Sequence, residues 1–387
     1  MDIIPLTAFL DPPCRTASLP GIGGRLKVEP EDFEVDEIPA YAPSGEGEHL
    51  FVRIEKRDLA GDWCMGLIAR ALDISKGEIG TAGIKDRRAI ARQWISVPAG
   101  CREKVDALDI PGLTVLETAL HGNKLRPGHL NGNRFRILIR DCHADTATLA
   151  PPILERIRAE GMANFYGSQR FGNRDSTLAI GLAILGKAEH PRYPDGNKMN
   201  IRNPFLKKFA LSAVQSAMFN GMLMQRIELG DFRRILSGDV LTHWPAGGIF
   251  RAEDVAVEQE RFDRRDLVHA GPMFGRKTFP AADVAAVREE AFLASVGFTK
   301  AEFSGYGKLL SGTRRHNLIY LDGFDWQMEP EGLRVSFALP AGSYATVLLR
   351  ELMKSAGADD RDPPTERRGE PEDAPTEGEG SGEEEAI

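Results

Sequence analysis

The run Gly83-Ile84-Lys85-Asp86-Arg87-Arg88-Ala89 sets one carboxylate among three cations in a turn led by glycine. Cations so close favour an ionised carboxylate, available as a nucleophile or base at neutral pH. Read singly, the same turn also fits an aspartate in a surface salt-bridge cluster. A second run, Asn164-Phe165-Tyr166-Gly167-Ser168-Gln169-Arg170-Phe171-Gly172, packs aromatics, amides and an arginine between glycines. Amides read base edges, aromatics stack on bases and arginine holds phosphate, which together suit unstacked RNA, although an aromatic turn in a core uses the same residue types. A third run, Pro340-Ala341-Gly342-Ser343-Tyr344-Ala345-Thr346, puts an aromatic just after a strand, where a plain strand-to-helix connection would read alike. No phosphate-binding P-loop, GxSxG, HExxH or dinucleotide fingerprint occurs, which disfavours phosphate-cofactor chemistry and serine hydrolysis.

These segments need elements to hold them. Residues 25–38 alternate Phe33 and Val35 with acidic neighbours, and 49–54 set Leu50, Val52 and Ile54 on one face, as half-buried strands require. A helix is expected over 62–72, a strand over 93–97 and another through Phe135, Ile137 and Ile139. Asp145 reads as the N-cap of a helix ending at Gly161. An apolar helix over 175–187 leads into a Pro, Asn and Gly-rich boundary, after which Leu211, Val214, Met218 and Met222 repeat at helical spacing as core filling. Leu333, Val335, Phe337 and Leu339 alternate as a last strand before a helix carrying LLRELM. Short strands mixed unevenly with helices predict an α+β fold with a mixed, largely antiparallel sheet.

The chain has 387 residues, enough for two units with a sizeable core, and its apolar and charged shares are those of a soluble globular protein. No apolar run is long enough to span a bilayer, so no membrane partner is expected. Cys14, Cys64, Cys101 and Cys142 lie far apart with no CxxC pair, which predicts reduced thiols in a cytoplasmic protein, no disulfide framework and no metal site. The net charge of −8 is uneven: residues 355–387 hold twelve acidic and three basic residues, leaving the rest near +1. That tail is rich in Pro, Gly and Glu and is expected to be disordered. The body carries short basic clusters, among them Lys85 with Arg87, Arg88 and Arg92, Lys207 with Lys208, and Arg314 with Arg315 and His316. Such clusters track phosphates if the fold brings them to one face, and are otherwise solvated surface.

Taken together and in order, the stretches KVEPEDFEVDEI (27–38), GEGEHL (45–50), AGIKDRRAIARQW (82–94), KLRPGHLNGNRFRI (124–137), NFYGSQRFG (164–172), LSAVQSAMFN (211–220), GPMFG (271–275) and LPAGSYATVLLREL (339–352) closely resemble the TruD family of tRNA pseudouridine synthases. The first twenty or so residues and the tail lie outside the resemblance. It implies a pseudouridine synthase fold, here 1–189 and 311–354, interrupted by a TRUD-type insertion domain over 190–310. The implied reaction isomerises uridine at tRNA position 13, exchanging an N1 glycosidic bond for a C5 bond, with tRNA as partner and no cofactor or metal. Monomer is the default state. Asp86 matches the family's catalytic aspartate, and Lys85 is expected to hold its charge state or meet a phosphate. Phe33, Asn164 and Tyr344 match active-site positions, with stacking expected from the aromatics and a hydrogen bond from the amide; Lys27 takes a substrate-binding role. Tyr166 stands where phenylalanine is expected and adds a phenol available for proton transfer. The alternatives are a non-catalytic tRNA-binding protein of the same fold and an aspartate-dependent hydrolase.

Overall fold

The structure, a computed structural model, describes residues 3–172, 175–188, 201 and 203–354; the expected tail and the expected start of the insertion at 190 lie outside the described residues. In chain order the first part contains β1 (Gly23–Arg25), β2 (Phe33–Pro39), β3 (His49–Arg57), α1 (Gly61–Leu72), β4 (Gly80–Thr81), β5 (Ile90–Pro98), α2 (Arg102–Asp106), β6 (Leu113–His121), β7 (Leu130–Cys142), α3 (Thr146–Glu160) and β8 (Met162–Ala163). Then come α4 (Ser176–Ile184), α5 (Pro204–Glu228), β9 (Val240–His243), β10 (Ile249–Arg251), α6 (Val255–Asp263), β11 (Leu267–Met273) and α7 (Asp283–Ser295). The chain closes with β12 (Thr313–His316), β13 (Leu318–Ile319), β14 (Asp322–Glu329), β15 (Gly332–Pro340) and α8 (Ala345–Met353).

A nine-stranded sheet runs in the order β14-β15-β7-β2-β5-β3-β6, with β1 added on β7 and β4 on β5. Its β2–β5 pair is parallel while the pairs on either side are antiparallel, the mixed arrangement expected of the sequence. Across β2, β7 and β15 the register makes rows: Phe33 with Ile137 and Val335, Val35 with Phe135 and Phe337, Glu37 with Asn133 and Leu339. The first two rows close a core against Ile153 and Leu154 of α3 and Leu348 and Leu352 of α8. Each such side chain contributes about 1.5–3 kcal/mol on burial. In the third row the same face turns polar at Glu37 and Asn133, and there the apolar core ends.

Residues 25–38 are not one strand, because Pro30 starts a short turn whose Glu29 and Asp32 form a reciprocal cap before β2 begins. Asp145 does precede α3, but its side chain makes no cap; the Thr146 hydroxyl bonds the His143 carbonyl at 2.6 Å instead. At α5 the sequence logic holds: Asn203 Oδ1 accepts from the backbone N–H groups of Phe205 and Leu206, with Pro204 at the first helical position.

A second sheet, β10-β9-β11-β12, packs on α5 and α6 through Leu241, Leu267, Val268, Phe219 and Phe262. Its last strand runs to His316, past residue 310 where the sequence reading ended the insertion. Asn317 alone separates β12 from β13, which pairs with β8 beside the larger sheet.

Candidate active site

Asp86 sits in the loop between β4 and β5, where buried lysines fix the backbone and leave the carboxylate open. The Lys56 ammonium, wholly buried, donates to the Asp86 carbonyl and, at 2.7 Å, to that of Leu59. One residue before Asp86, Lys85 turns inward and pairs with Glu37 Oε2 at 2.9 Å, also donating to Asn133 Oδ1 at 2.7 Å. Lys85 therefore anchors the loop to the polar row of the sheet; its ammonium is not the one that meets the Asp86 carboxylate, and its side chain is only 6% exposed. That place is taken by Lys27, whose Nζ lies 3.0 Å from Asp86 Oδ2 and 4.4 Å from the centroid of Phe33, a cation on a ring face. Lys27 itself has φ +53°, left-handed geometry that costs a non-glycine residue of order 1–2 kcal/mol and persists where the surroundings fix the side chain. The Asp86 side chain remains 44% exposed, so it has the access to a ligand that the buried Lys27, Lys56 and Lys85 lack.

Phe33 lies edge-on to Phe135, which stacks on Phe337 at 5.3 Å, so a run of rings crosses the sheet from beneath Lys27 toward β15. At the end of β15, Pro340 and Ala341 form one lip of a cavity of about 540 Å³ that Asn164, Tyr166, Arg315 and His316 also line. Asn164 is almost fully buried. Its Nδ2 donates to the His316 carbonyl at 2.9 Å, while its Oδ1 accepts from Arg315 at 2.8 Å and from the Ser343 hydroxyl at 3.0 Å. The amide expected to bond substrate thus holds Arg315 and Ser343 in place. The Arg315 guanidinium lies 4.0 Å over the Tyr166 ring, and Tyr344 meets the same ring edge-on at 5.9 Å. Gly167 sits close to both: a Cβ would stand 3.2 Å from the Tyr344 ring and 3.1 Å from Thr346 Oγ1, tight contacts that would press on both side chains. The Tyr166 hydroxyl points to Met273 Sδ at 3.6 Å. Burial pushes the Tyr344 phenol above its ordinary range, and burial, with the Arg315 charge beside it, brings His316 down to about 4 and keeps it neutral.

The arrangement offers an exposed carboxylate flanked by a buried ammonium and a ring, and a basic, aromatic-lined cavity over the end of the same sheet. The model of the family tRNA pseudouridine synthase D (TruD) matches residues 10–190 and 199–352. The chain belongs to the TruD family. Family membership places it among tRNA pseudouridine synthases, which are isomerases. The match begins about ten residues earlier than the sequence resemblance did, consistent with Phe9 packing on Phe292 and accepting, through its carbonyl, from Asn220 of α5. Among TruD relatives, the tRNA pseudouridine synthase D of Anaeromyxobacter sp. (strain Fw109-5) is 41% identical over 349 residues, spanning 90% of this chain and 97% of that one. A Thermus thermophilus protein of the same name is 39% identical over 353 residues, 90% of this chain and 93% of that one. A crystal structure of the Methanosarcina mazei protein matches with a TM-score of 0.73 at 25% identity, covering 93% of this chain and all of that one.

Two members of the TruD site carried a signal that the sequence reading passed over. Lys56 follows Leu50, Val52 and Ile54 at period two, and Glu37 follows Phe33 and Val35 likewise, so each is a charge on a core-facing strand position, where charges occur only when paired. Among the described residues no helix is long and apolar enough to cross a membrane.

Proposed function

We propose that this chain converts uridine 13 of tRNA to pseudouridine, with Asp86 as the catalytic nucleophile. The observation that carries the reading is the Lys27–Asp86 pair: a carboxylate held at 3.0 Å by a buried ammonium, tethered through its carbonyl by Lys56, and still open to a ligand. A uridine within folded RNA must leave its stack before any group reaches it. Asp86 then either adds to the base or takes up the sugar; the N1–C1′ bond breaks, the freed base turns, a C5–C1′ bond forms, the bond to Asp86 breaks to restore the carboxylate, the C5 proton leaves and N1 gains a proton. Tyr344 serves as a stacking surface for the loose base, Lys27 holds the carboxylate over the buried Phe33 ring, which supports it rather than meeting the base, and Lys85 positions the loop through Glu37. Asn164 and Tyr166 shape the cavity wall. The insertion begins at about 190 and extends to the end of β12.

Tritium release from tRNA labelled at uridine C5 tests this, comparing wild type with Asp86→Asn while measuring tRNA affinity for both. The reading expects release by the wild type only, with equal affinity. Binding by both and release by neither, on unmodified tRNA, would favour the non-catalytic alternative, and a change in RNA mass would favour a hydrolase.

A further inference from the structure

Adjacent arginines in β12 have opposite fates. Arg314 is spent inside the fold: its guanidinium pairs with Glu289 at 2.5 and 3.2 Å and donates to the Phe279 carbonyl. Arg315, on the other face of the strand, meets no carboxylate among the described residues. Its Nε and Nη2 donate to the neutral backbone and amide oxygens of Asn164, and Tyr166 covers one face. Arg170 is alike: its partners are the Ser216 and Ser212 hydroxyls and the ring faces of Phe209 and Tyr166. Two guanidiniums therefore converge on Tyr166 with dipoles and rings about them but, among the described residues, no carboxylate in contact.

The cavity beside them has the same bias. Lys208 and Lys308 line it together with Arg315, and none of its lining residues is Asp or Glu. His316, neutral, adds no competing charge. A partly desolvated cation is costly unless an anion pairs with it, so the half-buried Arg315, with two exposed lysines beside it, is placed to receive an anion from a ligand. Arginine on a ring face suits a phosphate oxygen.

We propose that this cavity is a phosphodiester-binding subsite, in which Arg315, supported by Lys208 and Lys308, holds a backbone phosphate of the RNA strand next to the unstacked nucleotide. The inference rests on the tRNA reading above and adds a site to it. Removing one cation from a phosphate should reduce the slope of log K against log salt by about 0.7 for a single strand, which corresponds to about fivefold weaker binding at 0.1 M salt.

The test measures tRNA affinity of the full chain between roughly 0.05 and 0.3 M KCl for wild type, Arg315→Gln and the pair Lys208→Gln with Lys308→Gln. The slope is expected to fall by about 0.7 for Arg315→Gln and by up to about 1.4 for the lysine pair. Weaker binding with an unchanged slope would mean that Arg315 only supports Asn164 and Tyr166, and it would overturn the proposal, as would no change at all. The lysines are exposed, so the pair decides the matter even if Arg315→Gln fails to fold. A site for the free anion would show instead as stabilisation of wild type alone by inorganic phosphate with tRNA slopes untouched, which also overturns the assignment to RNA. Wild-type tritium release separates the two failures: release with unaltered slopes rejects the subsite alone, and absence of release rejects the isomerase.

Discussion

Removing the Lys85 charge should unsettle the whole chain more than it disturbs RNA binding, because Lys85 and Glu37 are an ion pair sealed from water. Their side chains are 6% and 1% exposed and their charges 2.9 Å apart. Besides Lys85, Glu37 has the Trp94 backbone N–H at 3.3 Å as a hydrogen-bond donor among the described residues. Lys85→Met keeps the length of the side chain and leaves a buried carboxylate without its cation, a loss of about 3–5 kcal/mol. Removing both charges, in Lys85→Met with Glu37→Met, abolishes that penalty and leaves the Asn133 amide oxygen short of a donor, at about 1–3 kcal/mol. The double variant should therefore be more stable than Lys85→Met alone, by about 2 kcal/mol. Urea unfolding of the four proteins, followed by tryptophan fluorescence, measures it; Trp94 is itself buried next to the pair. A double variant as unstable as Lys85→Met would refute the idea that charge burial rather than packing makes this contact matter. Any folded Lys85 variant should retain tRNA affinity and lose tritium release, since the residue acts on Asp86 through the loop.

Acid should weaken the fold through His269, which is wholly buried, donates Nε2–H to the Phe232 carbonyl and has its pKa brought down to about 3 by burial. The unfolded chain takes up that proton near 6.5 and the folded one does not, so stability is complete above 6.5 and falls on acidification, by about 2 kcal/mol at pH 5. Urea titrations at pH 7 and pH 5 should show this share missing in His269→Gln; an identical pH dependence would dismiss it. Tyr166→Phe should keep tritium release within about threefold, since the hydroxyl meets a thioether and the ring carries the contacts with Arg315 and Tyr344. A loss of a hundredfold or more would instead give the phenol a part in proton transfer.

The strands and long helices were legible because period two and period 3.6 are local properties, and the Asp86 turn stood out because its charges are consecutive. What stayed hidden depends on partners distant in sequence. Nothing in Arg314-Arg315-His316 says which arginine finds Glu289, since that follows from strand alternation and from where α7 packs. The parallel pairing of β2 with β5 was equally silent, as the residues of both strands would suit an antiparallel neighbour. Lys27 was visible as a matching position but not as the partner of Asp86, which lies 59 residues away. The bonds of the Asn164 amide to Arg315 and Ser343 were not legible either, because they close only when β12 and the turn after β15 arrive.

Asn317 joins more than two strands. Its backbone N–H donates to the His269 carbonyl, its side chain donates to His269 Nδ1, and its own carbonyl accepts from the Asn164 N–H. The smaller sheet is thus tied to the cavity wall through Asn317 as well as through Arg315 and His316 of β12, so a displacement of β11 and β12 is passed to Asn164 by several bonds at once.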